Sequence, residues 1–179
     1  MPLPKKGPYT IDDIYSLPDG ARAELIGGKI YMMSPPGTMH QNLVLDIAAT
    51  IRDYIKRHGG DCRPYVAPFA VFLGKDDDAY VEPDISVVCD PEKVTESGCV
   101  GAPDWVIEVV SPSSRKRDYS TKNSLYSESG VREYWIVDPE KMRTTIYRYE
   151  EDAAPAIFLF NQSISVGVID GLIINISDL

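Results

Sequence analysis

Two apolar runs, WVIEVV at 105–110 and EYWIVD at 133–138, constrain the fold most, because a helix reads between them. The first run is β-branched or aromatic at nearly every position, the pattern of a strand buried on both faces. SPSS then supplies turn and cap residues, Tyr119 to Ser129 reads as a helix, and Gly130 ends it as a C′ residue. VREYWIVDP is the next strand and stops at Asp138-Pro139, where Asp138 reads as a turn residue. Strand, helix, strand in this order predicts a right-handed crossover with parallel neighbours inside an otherwise mixed sheet.

Glu108 sits inside the first run, where a carboxylate does not belong. Left ionised and unpaired it would cost on the order of several kcal/mol. It must meet a cation, take up a proton, or lie where the strand opens to water.

The rest of the chain supplies a frame. Thr10 reads as the N-cap of a short helix through Leu17, with Asp12 and Asp13 in its first turn. RAELIGGKIYMMS has two apolar runs joined by Gly27-Gly28, which can adopt the positive φ of a two-residue hairpin turn. From Thr38, the positions Leu43, Ile47, Ile51 and Ile55, with Val44 and Ala48 beside them, follow a helical period up to Gly59-Gly60. Short strands are predicted at Arg63 to Val66, Phe69 to Leu73 and Asp84 to Val88, with a polar tip GKDDD after the second. Cys89 to Pro103 reads as a loop. TTIYRYE, AIFLF and LIINI predict later strands, as hairpins at one side of the sheet, and no internal repeat is present.

A chain of 179 residues suits one domain, 1–179, with a core over about 10–150 and C-terminal strands over 155–179. The opening MPLPKKGPYTIDDIY lacks the apolar stretch of a secretion signal, and nowhere do about 18 apolar residues run together. A cytoplasmic protein without a membrane segment is expected. Cys62, Cys89 and Cys99 are odd in number and lack CxxC spacing, so reduced thiols are expected rather than a disulfide framework or a zinc site. The net charge of −9 disfavours nucleic acid, but it is unevenly spread. Residues 61–110 hold 3 basic and 11 acidic side chains, and 111–149 hold 8 basic and 5 acidic. An acidic centre followed by a basic segment suits a cation site beside a phosphate-facing surface, and equally the uneven solvated faces of an acidic protein.

Asp84 opens one apolar strand and Glu108 lies within another, so if the strands pair the two carboxylates face each other. Close anions raise each other's pKa. A Mg²⁺ ion relieves that conflict, since it takes one or two carboxylates plus water and a substrate phosphate. Asp84, Glu108 and the backbone carbonyl of Val109 match that preference. Lys122 shares a helix face with Asp118 and Tyr126 at i,i+4 spacing and could reach the acids, to orient a water or stabilise charge on phosphorus. Taken singly, these residues have plainer readings. Asp84 is then a strand-end carboxylate, Lys122 the surface partner of Asp118, and Glu24 a solvated hairpin charge. His40 is a structural or a phosphate- or metal-binding histidine, and Arg115, Lys116 and Arg117 form a solvated loop or a phosphate contact.

In order, AELIGGKIYMMSP, HQN, EPDISVV, WVIEVVSPSS, RDYSTK and GVREYWIVDP resemble the bacterial putative restriction endonuclease family of the PD-(D/E)xK nuclease superfamily. The resemblance implies an α/β (α+β) restriction endonuclease-like core: a mixed central β-sheet flanked by helices, with additional antiparallel hairpins. It implies Mg²⁺- or Mn²⁺-dependent phosphodiester hydrolysis, with Asp84 as the PD aspartate, Glu108 as the second metal-binding acid, Lys122 as the superfamily lysine and Glu24 as the additional acid before the motif. Val110 stands where the lysine of ExK would fall, so a lysine migrated to the following helix is expected. Gly27 stands where relatives commonly carry an acidic turn residue.

The expected function is a metal-dependent DNA endonuclease acting as a homodimer. The competing readings are a catalytically silent nucleic-acid or protein binding and regulatory module on the same fold, and a hydrolase of small phosphoesters. Serine hydrolase chemistry is excluded, since SPSS lacks the strained GxSxG turn.

Overall fold

The structure is a computed structural model, and it describes residues 7–74, 78–151 and 153–179. It is a mixed α/β fold with few helices. Helix α1 (Ile11–Tyr15) is short, and the Asp13 carboxylate accepts the Thr10 N–H at 2.8 Å, which satisfies one orphan donor of the first turn. It ends two residues before the expected Leu17. Strands β1 (Ala23–Ile26) and β2 (Lys29–Met32) form the expected hairpin, with Gly27 at φ 55° and Gly28 at φ 70°. Helix α2 (Thr38–His58) carries Val44, Ile47, Ala48 and Ile51 on its buried face and stops at Gly59, φ 81°. The strands β3 (Arg63–Val66), β4 (Val71–Phe72), β5 (Ala79–Val81) and β6 (Ile85–Val88) follow. Strand β4 is shorter than the expected Phe69 to Leu73. Strand β5 has no counterpart among the sequence expectations, and most of the GKDDD tip before it lies outside the described residues.

Cys89 to Pro103 is not the irregular loop its composition suggested. A 3₁₀ turn at Pro91–Lys93 leads into β7 (Val94–Thr95) and β8 (Gly98–Val100), which pair with each other, while β8 also lies parallel to β4. Strands this short carry too little periodicity to stand out from turn composition. Strand β9 (Trp105–Val109) and β10 (Glu133–Asp138) are parallel neighbours, as expected. The chain ends through β11 (Arg143–Arg148), β12 (Ala156–Leu159), β13 (Ile164–Ser165) and β14 (Ile173–Ile174).

Among the described residues two six-stranded sheets result, in the orders β2-β1-β5-β4-β8-β7 and β12-β11-β10-β9-β6-β3, with β13-β14 as a separate pair. Three clusters of buried side chains divide the molecule into layers. One face of the second sheet, with Trp105, Ile107 and Trp135, packs on α2 and on Ile164, Leu172 and Ile176 of the C-terminal segment. Its other face, with Val106, Tyr134 and Ile136, packs on Ile26, Val71 and Val81 of the first sheet. The far face of the first sheet, with Leu25 and Tyr80, is covered by Ile14 of α1. Each large apolar side chain sealed in these layers contributes about 1.5–3 kcal/mol of burial.

Cys62 and Cys89 are joined in a disulfide, which corrects the expectation of three reduced thiols. They directly precede β3 and follow β6, one step beyond the antiparallel pair Arg63↔Val88, so the sheet register brings them together. Sequence spacing alone could not reveal this. Cys99 is free and buried. Among the described residues no helix is long and apolar enough to cross a membrane.

Candidate active site

Side chains alternate along a strand, and this decides what meets in the middle of the molecule. In β9 the odd positions face α2, so Glu108 points with Val106 toward the first sheet. In β1, Leu25 faces α1, so Glu24 points with Ile26 toward the second sheet. The two carboxylates are therefore aimed into the same interlayer, and both are buried.

Between them lies Lys122. Its Nζ donates to Glu108 Oε1 at 2.7 Å, is 2.7 Å from Glu24 Oε1, and is 4.0 Å from Asp118 Oδ1. Tyr126 donates its hydroxyl to Glu108 Oε1 at 2.8 Å. The expected face of Asp118, Lys122 and Tyr126 is thus real, but it turns inward and is buried, and the reading of Lys122 as a surface partner of Asp118 is corrected. The helix carrying them also differs from expectation. It begins at Arg115, four residues before Tyr119, and Arg117–Lys122 is π-helical before α3 (Asn123–Ser129) resumes the normal pitch. The wider turn places Asp118 and Lys122 together over Glu108; such π segments occur often at functional sites.

Asp84 directly precedes β6, and the antiparallel register Ile85↔Ile107 extends to set it opposite Glu108. Its Oδ2 accepts the Val109 N–H at 2.8 Å, and its own N–H donates to Glu108 Oε2 at 3.4 Å. His40, in the first turns of α2, places Nε2 3.1 Å from Asp84 Oδ2. Its Nδ1 is buried and has no hydrogen-bond partner among the described residues. Burial works against charging this ring, but the hydrogen bond and charge of Asp84 and the main chain at Val109 outweigh it, so the His40 pKa is raised.

The charges do not balance, and the pKa shifts record it. Burial pushes the Glu108 carboxyl up to about 8. Lys122 opposes the shift, and Asp84, Asp118 and Glu24 add to it. Burial also raises Asp118 against the pull of Lys122 and Ser114. For Lys122, burial lowers the pKa but Glu108, Glu24 and Asp118 more than reverse this, so it stays charged. The two partners thus shift in ways that pull apart, the lysine toward its ion and Glu108 toward its neutral acid. One ammonium shared by three carboxylates explains both. Glu24 Oε2 and Asp118 Oδ1 are buried and lack hydrogen-bond partners among the described residues.

Asp84, Glu108, Asp118, Lys122 and His40 line one side of a cavity of about 790 Å³, which reaches the Ser111–Ser114 turn and the loop before α2. Arg117 lines it too, 3.6 Å from Glu24 Oε2 and with its guanidinium 5.3 Å from the centre of the Tyr31 ring. Arg115 does not. It is turned onto buried Asp138 and reaches Glu140 at 2.5 Å, so it is neither a solvated loop residue nor free for phosphate. Asp138 consequently does more than its expected turn role, which it also fulfils by accepting the Lys141 N–H at 3.1 Å. Lys116 is exposed and outside the cavity lining. Sequence reasoning missed Arg22 and Glu82. Arg22 donates to Glu82 Oε2 at 2.8 Å through Nε, Tyr80 donates to Oε1 at 2.7 Å, and both Arg22 and Glu82 line the cavity. The available signal was spacing: Glu82 stands two residues before Asp84 in EPD.

Among the described residues no three His, Cys, Asp or Glu side chains form a metal-holding group. The oxygen set at hand is two carboxylates, Asp84 and Glu108, beside the main chain at Val109.

A mixed α/β fold thus brings two acids and a lysine together at one cavity. The chain belongs to the Uma2 family, whose description is "Putative restriction endonuclease" and whose model matches residues 11–177. Its fold is shared by a solved structure described as a putative nuclease belonging to DUF820 from Anabaena variabilis. The TM-score is 0.78 and the identity 24%, over 96% of this chain and 97% of that one. An uncharacterized protein, slr1290 of Synechocystis sp., is 25% identical over 130 residues, 72% of this chain and 67% of its own length.

Proposed function

We propose that this protein is a metal-dependent endonuclease that hydrolyses DNA phosphodiester bonds, working as a homodimer in the cytoplasm. The observation that carries the reading is the Asp84–Glu108 pair set in register across β6 and β9, with Lys122 2.7 Å from Glu108 at the edge of an open cavity. The excess of carboxylates over one buried lysine, with Glu24 Oε2 and Asp118 Oδ1 left without a hydrogen bond among the described residues, suits a hard divalent cation. Asp84, Glu108 and the Val109 carbonyl would hold Mg²⁺ or Mn²⁺, which supplies polarisation of the scissile phosphate and a more acidic bound water.

The chain's own residues do the remaining work. Lys122 orients Glu108 through Oε1 while Oε2 is left toward Asp84, and it fills the role of the lysine absent at Val110. Glu24 and Asp118 fix the ammonium from the other side. Arg117 is the cation placed to meet a phosphate oxygen, and its stacking on Tyr31 limits the freedom it loses on doing so.

The test is incubation of the purified protein with supercoiled and linear DNA in Mg²⁺ or Mn²⁺. Nicking or cutting is expected, reduced at least a hundredfold in Asp84→Asn and Lys122→Met with the fold intact by circular dichroism. Wild-type protein that leaves every DNA substrate whole in both metals, or Asp84→Asn that cuts as well as wild type, overturns the reading.

A further inference from the structure

A second cavity, of about 420 Å³, opens between the C-terminal half of α2 and β3. Three cations line it, Arg52, Lys56 and Arg63, over a floor that includes Ile55, Pro64 and Tyr65, and no carboxylate is among its lining residues. All three cations are exposed, and none has a side-chain hydrogen bond or ion pair among the described residues. The contrast with the first cavity is sharp, since Arg22, Arg117 and Lys122 are each paired with an acid there. In a chain of net charge −9, unpaired cations gathered at one concavity do not follow from composition. Complementing the helix dipole accounts for Lys56 in the last turn of α2, but neither for Arg52 one turn earlier nor for Arg63 on a strand.

Helix α2 links this cavity to the acid pair, since His40 at its other end touches Asp84. At 1.5 Å per residue, Arg52 and Lys56 lie about 18 and 24 Å along the helix from His40. Along the sheet, Arg63 pairs with Val88, which is about 13 Å from Asp84 at 3.3 Å per residue. At about 3.4 Å per nucleotide along one strand, these separations span roughly four to seven nucleotides.

We propose that the Arg52–Lys56–Arg63 cavity binds the phosphodiester backbone of the nucleic acid several nucleotides from the bond held at Asp84 and Glu108. The inference rests on the nuclease reading and adds a second phosphate-binding region to it. The site recognises charge and spacing, not base sequence.

Binding is measured by fluorescence anisotropy on a 20-base-pair duplex without divalent metal, in an Asp84→Asn background so that nothing is cut. Replacing Arg52, Lys56 and Arg63 by Gln is expected to weaken binding at least tenfold near 0.1 M salt. It should also flatten the slope of log K against log salt by about 2.7, from about 0.9 per phosphate contact. Equal affinity and slope in the folded triple variant overturns the proposal. So does competition by inorganic phosphate or a mononucleotide as tight as the duplex, which would make this a small-anion site. If the triple variant does not fold, Arg52→Glu and Arg63→Glu carry the test singly, each expected to flatten the slope by about 0.9 or more; no change in either overturns it. Cutting with unchanged triple-variant binding removes this inference alone, and binding through the cavity without cutting removes the nuclease reading alone.

Discussion

Lys122 Nζ donates to Glu108 Oε1 at 2.7 Å, and this one contact ties the π-helical turn to the centre of the second sheet. Removing one member of a buried ion pair typically costs about 3–5 kcal/mol because the other is left uncompensated. Lys122→Met should therefore lose stability of that order in urea unfolding at pH 8. The double variant Lys122→Met/Glu108→Gln should recover part of the loss. A double variant no more stable than the single one would mean that packing, not charge, explains the effect.

Glu108 also predicts a pH dependence, and its sign is unusual for a carboxylate. Its folded pKa is raised to about 8 from 4.5, so the folded state binds more protons than the unfolded state between those values. Stability from this group is then fully present below about pH 4.5 and is lost as pH rises toward about 8. The difference in unfolding free energy between wild type and Glu108→Gln, both free of metal, should change across this window and level off above it. A difference that is flat with pH would refute the assignment.

The disulfide makes a separate prediction. Cys62 and Cys89 close a loop of 27 residues, for which chain entropy gives about 3.5 kcal/mol of stabilisation. Cys62→Ser, or mild reduction, should lower the unfolding midpoint accordingly. Thiol titration should count no reactive cysteine in the native protein and one, Cys99, after unfolding without reductant.

Glu133 tests how the C-terminal segment is held. Its Oε2 accepts the Gly167 and Val168 amides at 2.6 and 3.1 Å, and its Oε1 accepts the Trp135 indole N–H at 2.6 Å. A Cβ on Gly167 would stand 2.6 Å from Glu133 Oε2, so Gly167→Ala should cost about 1–3 kcal/mol by overpacking. Glu133→Ala leaves three donors without their acceptor and should cost at least as much. Tryptophan fluorescence during chemical unfolding reads both, because Trp135 packs edge-on against Trp105 at 4.9 Å.

Long, periodic elements were legible in the sequence. Helix α2, the Gly27-Gly28 hairpin and the parallel β9–β10 pair all follow from pattern and turn chemistry. What eluded pattern were features set by register between distant strands. The Cys62–Cys89 bond exists because β3 and β6 pair, and β7 and β8 are strands because β4 offers an edge. The same holds in the candidate site. Asp84, Glu108 and Lys122 are singled out by a charge in an apolar strand and by helical spacing. Taken alone, Glu24 reads as solvated, because nothing local reveals that β1 turns this side chain into the interlayer. Arg115 was misread for a similar reason, since its partners Asp138 and Glu140 lie more than twenty residues away.

Glu24 arrives from one sheet and Glu108 from the other, with Lys122 gripping both. The cluster therefore works as a gauge of how the two sheets are seated on each other. A slight slide of one layer would open the grip while every strand ladder stayed whole, so on gentle warming or in dilute denaturant catalytic competence should fade before the circular dichroism of the sheets begins to change.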